Sequence, residues 1–221
     1  TNAATVPASA TIPAGATSTQ FVVTTKQVAA DTTVTITAKS VTGSTGTTTM
    51  VVRALTISLT LSPSVVDGGP GFSTGLITLG APPNAGGMLV TLSSNSSAVN
   101  IPGSVTVGQG QTTKTFSIGT NPVIVDTNAT ITATLPSGRT AKAILKVLSP
   151  RVIALKLDTD SLIGGDSTMG TVVTNLVAPG AGLDISLSSG NGAIVQVPGT
   201  VTIPSGQKFA RFNVTTSVTP V

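Results

Sequence analysis

The chain has 221 residues, enough for one large domain or about two ordinary ones, and 39% of them are apolar, so a buried core is within reach. Cys, His, Trp, Tyr and Glu are all missing and only 8% of residues are charged, which removes thiol and imidazole chemistry and with it zinc or copper sites. The 11 Lys and Arg against 7 Asp leave a formal charge of +4 that is scattered along the chain, unlike the one-sided, aromatic-interleaved charge of nucleic-acid binders, so no nucleic-acid partner is expected.

In chain order, the first feature is the stretch Val6–Thr25, VPASATIPAGATSTQFVVTT, followed by the alternating Val34–Ala38, VTITA. Residues 55–149 then carry seven period-two segments separated by turn residues, the pattern of a sandwich. Strand A holds Leu59 and Leu61, before Asp67-Gly68-Gly69-Pro70-Gly71. Strand B covers Gly75 to Leu79, and strand C turns Met88, Val90 and Leu92 inward. Strand D carries Val105 and Val107, and strand E points Phe116 and Ile118 inward. Strand F does so with Ala129, Ile131 and Ala133, and strand G with Ala143, Leu145 and Val147. Alternation with one polar face fits antiparallel sheets packed on each other. Thr and Ser fill 63 positions, and Thr and Val favour strands while Gly and Pro punctuate turns, so the whole chain is expected to be all-β.

The pattern then recurs. Ile101–Thr120 reads IPGSVTVGQGQTTKTFSIGT and Val197–Thr216 reads VPGTVTIPSGQKFARFNVTT, which places Phe21, Phe116 and Phe212 in register at offsets of 95 and 96. Leu59–Gly69 (LTLSPSVVDGG) matches Leu155–Gly165 (LKLDTDSLIGG). Gly87–Ser94 (GMLVTLSS) matches Gly182–Ser189 (GLDISLSS), and Val34–Ala38 matches Ala129–Ala133 (ATITA). Self-similarity at a fixed period signals a repeat architecture. The expected division is the C-terminal part of one repeat in 1–54, a complete repeat in 55–149 and the N-terminal part of another in 150–221. The connection Leu148–Arg151 is too short to act as a flexible tether, so neighbouring repeats are expected to be stiffly coupled.

The run of Leu-x-Leu, Gly-Gly, Val-x-Leu-x-Ser, Pro-x-x-Val-Thr-Val, Gly-x-x-x-x-x-Phe-x-Val and Thr-Ile-Thr-Ala resembles the tandem bacterial immunoglobulin-like (Big-type) repeats of large surface and secreted proteins. That resemblance covers the whole chain. It implies all-β, tandem seven-stranded immunoglobulin-like β-sandwiches of about 95 residues. It also implies an extracellular or cell-surface, non-catalytic role as stalk, spacer, adhesin arm or fibre unit. Its partners are then the neighbouring repeats of the same chain, with self-association into fibres through sheet edges. The alternative is a carbohydrate- or protein-binding module of a secreted enzyme or adhesin, or a phage surface decoration. The lack of Trp and Tyr removes the usual sugar-stacking platforms.

Residues with chemistry are few. No catalytic residue or cofactor site is expected, since hydrolysis by paired carboxylates would rest on seven Asp alone. The one metal candidate is a calcium loop around Asp158, Asp160 and Asp166, set against a solvated strand edge with a turn; no Glu is available as a bidentate ligand. Asp31 and Asp126 recur at an offset of 95, each just before strand F, and read as Asx turns at the strand entry. Gly68-Gly69-Pro70-Gly71 reads as a turn rather than a phosphate cradle, because no Lys or helix start follows. Asn95, Asn128 and Asn213 sit in Asn-x-Ser/Thr triplets, near the count that so much Ser and Thr produces. A Lys–Asn isopeptide staple is disfavoured for want of a repeated Lys/Asn register.

No stretch approaches the length of apolar sequence that spans a bilayer. Thr1 opens directly into repeat sequence, and residues 1–30 correspond to 192–221 of the last repeat. That overlap favours an excerpt of a longer array over a subunit built to be completed by a neighbour.

Overall fold

A computed structural model describes residues 3–83 and 85–218. It is all-β, and among the described residues every regular element is a strand. The first segment holds β1 (Ala4–Thr5), β2 (Thr24–Thr25), β3 (Thr32–Lys39) and β4 (Thr45–Val52). The middle segment holds β5 (Ile57–Ser62), β6 (Val65–Asp67), β7 (Phe72–Leu79), β8 (Met88–Ser94), β9 (Val99–Asn100), β10 (Ser104–Val107), β11 (Thr113–Thr120), β12 (Thr127–Thr134) and β13 (Thr140–Leu148). The last holds β14 (Val152–Leu157), β15 (Ser167–Thr174), β16 (Leu183–Ser186), β17 (Val195–Gln196), β18 (Thr200–Ile203) and β19 (Phe209–Thr216).

The middle segment is an immunoglobulin-like sandwich. One sheet has the order β5-β7-β11-β9 and the other β10-β8-β12-β13-β6, antiparallel throughout except where β6 runs parallel to β13. The alternation read from sequence is the alternation observed. Met88, Val90 and Leu92, Phe116 and Ile118, Ala129, Ile131 and Ala133, and Leu145 and Val147 are all buried in one core. Each large aliphatic side chain buried there contributes about 1.5–3 kcal/mol relative to exposure.

Strand number and one strand's place differ from expectation. Nine strand segments, not seven, make up the middle segment. Pro63 offers no amide proton, so the first edge strand cannot continue past it. The chain resumes as β6 on the opposite sheet, beside β13. Likewise Val105 and Val107, expected in a strand D, lie in β10 next to β8, while the short β9 occupies the edge beyond β11. Between β8 and β9 the Ser94 hydroxyl bonds Ser96 within the turn that moves the chain from one sheet to the other.

A register recurs along the chain. Ala4 faces Thr25, Val99 faces Thr120, and Val195 faces Thr216. The hairpin β3–β4 pairs Thr32 with Val52, and β12–β13 pairs Thr127 with Val147, both shifted by 95. Phe116 lies across from Gly75, and Phe212 across from Gly170. A Cβ built on Gly75 would fall 2.2 Å from the Phe116 ring, and one on Gly170 would fall 2.3 Å from the Phe212 ring. Each glycine therefore leaves a slot that an aromatic ring fills. Phe21 is in a different setting: it is 45% exposed, against 7% for Phe116 and 6% for Phe212, because no strand facing it lies among the described residues of 3–54.

Candidate functional site

Two aspartates recur with one bonding geometry at the two connections between segments. At the first, the Ala54 amide donates to Oδ1 of Asp31 at 2.8 Å. At the second, the Ser149 amide donates to Oδ1 of Asp126 at 2.9 Å, joined by the Ser149 hydroxyl at 3.1 Å. Both aspartates stand just before a strand whose first residue pairs with the end of the next strand, Thr32 with Val52 and Thr127 with Val147. The carboxylate is thus level with the residue that follows the hairpin. This corrects the Asx-turn expectation: the turn bonds at these entries come from Thr32 and Thr127 hydroxyls to Ala30 and Val125 carbonyls, while the aspartates reach across to the connection.

The far side of each connection is held too. The Gly80 amide donates to the Thr56 carbonyl at 3.0 Å, and the Asn175 amide donates to the Arg151 carbonyl at 3.1 Å, positions again 95 apart. The Asn175 side chain adds a 2.7 Å bond as its Oδ1 accepts from the Arg151 amide. Connections of four residues or fewer are therefore tied to the segment behind and the segment ahead.

Charge reinforces the second connection. Lys146 Nζ stands 3.3 Å and an Arg151 guanidinium nitrogen 3.5 Å from Oδ2 of Asp126. The Ser149 amide bond, more than the Ser149 hydroxyl or Lys146, holds the Asp126 carboxyl down to about 2 from its ordinary 3.8, against desolvation that pushes it up. At the first connection a cleft of about 630 Å3 is lined by Asp31, Arg53, Arg139 and small residues including Ala54, Thr56 and Gly80. Its one carboxylate is already bonded to Ala54, and its one side-chain hydroxyl, on Thr56, has no imidazole among the lining residues to activate it.

The residues of the calcium reading are not brought together. Asp158, just past the end of β14, forms an ion pair with Arg211 of β19, with β15 between the two strands. Asp160 borders a shallow groove, and Asp166 offers its backbone carbonyl to the Thr216 hydroxyl at 2.8 Å. Among the described residues no three acidic side chains gather in a way that would hold an ion.

A threonine pair escaped sequence reasoning. The buried Thr120 hydroxyl lies 2.8 Å from the Asp67 carbonyl and 3.1 Å from the Gly71 carbonyl, pinning the glycine turn. Thr216, in register with it, reaches the Asp166 and Ile163 carbonyls. The signal was available, since each ends one of the matched twenty-residue blocks. The glycine turn itself is closed as expected, with Gly69 at φ 94° and the Gly68 amide bonded to the Leu148 carbonyl.

Among the described residues no helix is long and apolar enough to cross a membrane. The chain matches no known protein-family model and no curated protein. Among solved structures it is similar to the D0-D1 domains of Intimin, at a TM-score of 0.33 and 13% identity over 74% of this chain and 86% of that one. It is also similar to the D00-D0 domains of Intimin, at 0.32 and 12% over 75% and 88%.

Proposed function

We propose that the chain is a run of tandem immunoglobulin-like units, divided as 1–54, 55–149 and 150–221, that serves as a stiff, non-catalytic stalk or spacer on a cell surface or in a secreted fibre. The observation that carries this reading is the pair of connections. Each is bonded from behind by an aspartate and from ahead by a backbone amide, with the same partners 95 residues apart. A connection that only had to link two domains needs neither bond; one that transmits orientation from unit to unit benefits from both. The recurring strand registers and the Gly75–Phe116 and Gly170–Phe212 slots support the tandem division. The low charge fits units packed end to end, since few ions need desolvating.

Antibodies raised against the chain test the location directly. They are expected to label intact cells of the source organism, or its culture medium, without permeabilisation. Labelling seen only after the cells are opened contradicts the reading.

A further inference from the structure

The two connections differ in what fills them. Ala29, Ala30, Gly80 and Ala81 line the cleft of about 630 Å3 at the first, where the second has Ile124, Val125, Asn175 and Leu176 at the offset of 95. Less side chain therefore occupies the first connection. The wall formed by Ala29 and Ala30 is open in a complete unit as well: Ile124 and Val125 are 61% and 64% exposed in the middle sandwich.

Donors that are satisfied at the second connection are left without acceptors at the first. The Arg151 amide donates to Asn175 Oδ1 at 2.7 Å. Gly80 has no side chain to offer, and the Thr56 amide in the corresponding place has no protein acceptor among the described residues. The guanidinium groups divide the same way. Of the four arginines, Arg151 and Arg211 pair with Asp126 and Asp158, while Arg53 and Arg139 have no carboxylate partner among the described residues. Both of these line the cleft. The backbone beneath each is fixed, which lowers the cost of ordering them around a ligand. Arg53 precedes Ala54, whose amide is bonded to Asp31, and the Arg139 carbonyl accepts from the Leu135 amide at 2.8 Å in a tight turn.

We infer that this cleft binds a small molecule or sugar residue through its carboxylate, held by Arg53 and Arg139 with the Thr56 amide as a further donor. A guanidinium presents paired N–H donors that match the two oxygens of a carboxylate. The charge of the cleft selects the ligand. Two guanidinium groups against the Asp31 carboxylate leave one positive charge in excess, which one carboxylate balances. A doubly charged sulfate or phosphate would leave an uncompensated negative charge beside Asp31. The rest of the wall, Ala29, Ala30, Ala54, Leu55 and Ala81, suits the ligand's carbon skeleton. This goes beyond the stalk reading and does not rest on it.

Amide chemical shifts of the unmodified 221-residue chain, titrated at constant ionic strength, test the site directly. The probes are butyrate and glucuronate, with inorganic sulfate as the control. Expected are saturable shifts at Ala54, Thr56 and Gly80 but not at Ser149 or Arg151. The Kd should be of order 1 mM, the strength two charge-assisted bonds supply in an open cleft. Sulfate should bind several-fold more weakly. Tighter binding of glucuronate than of butyrate identifies a sugar acid as the ligand, and the reverse order identifies an apolar acid. Arg139→Gln is expected to weaken binding about ten-fold. Lys114→Gln removes the same charge from the exposed side of β11 and is expected to leave binding unchanged. No saturable shift with either acid, an equal response to sulfate, or equal weakening by the two substitutions overturns the proposal. Such a failure leaves the stalk reading to its own test, since antibody labelling of cells does not depend on the cleft.

Discussion

At the residue scale, Asp126 makes the sharpest claim. Its carboxyl titrates at about 2 in the folded chain against an ordinary 3.8, so the folded state binds the proton less readily than the unfolded chain. The stabilisation is therefore complete above pH 3.8 and lost as the pH falls through about 2. Asp126→Asn keeps an oxygen for the Ser149 amide but loses the charge facing Lys146 and Arg151. Thermal unfolding followed from pH 6 to pH 2 is expected to show a smaller acid-induced drop in Tm for the variant than for the parent. Parallel curves would show that the carboxylate contributes nothing. Thr120→Val removes a buried hydroxyl within bonding reach of the Asp67 and Gly71 carbonyls, leaving the Gly71 amide as the donor to Asp67, and is expected to cost about 1–3 kcal/mol in urea unfolding. Gly75→Ala drives a methyl into the Phe116 ring and is expected to cost a similar 1–3 kcal/mol by overpacking, measured the same way.

At the element scale, the strands divide by how many neighbours they have. The strand β12 lies between β8 and β13 with Ala129, Ile131 and Ala133 fully buried, whereas β3–β4 and β16–β18 are two-stranded sheets. Amide hydrogen exchange in dilute solution is expected to be slowest in β12 and β8 and faster by orders of magnitude in β16–β18. Ile131→Ala is expected to cost about 2–5 kcal/mol of stability. This is also the scale at which the sequence was most readable. Period-two alternation identified the buried face of β8, β11, β12 and β13 residue by residue, because a pleated strand with one wet face leaves that mark on the sequence. The changes of sheet were not readable. Where the chain crosses after Pro63, and which sheet takes Val105 and Val107, is set by pairing partners distant in sequence. Alternation is blind to the partner. The aspartate clasps were visible only as a recurrence: Asp31 to Ala54 and Asp126 to Ser149 are each 23 apart, but nothing local says that the carboxylate reaches over a hairpin rather than into its own turn.

At the scale of the whole molecule, orientation is what the clasps act on. In the proposed stalk reading the chain supplies length and direction, and both depend on the connections staying fixed. Removing both members of a clasp should loosen the joint without unfolding the sandwich, since Asp126 and Asn175 lie outside the buried core. The most direct test is a pulsed electron-spin distance between labels on Ser104→Cys and Thr200→Cys, exposed sites on either side of the second connection. The account predicts a single narrow distribution for the parent chain and a clearly broader one when Asp126→Ala and Asn175→Ala are added. A distribution that is already broad in the parent, or unchanged by the two substitutions, would contradict it.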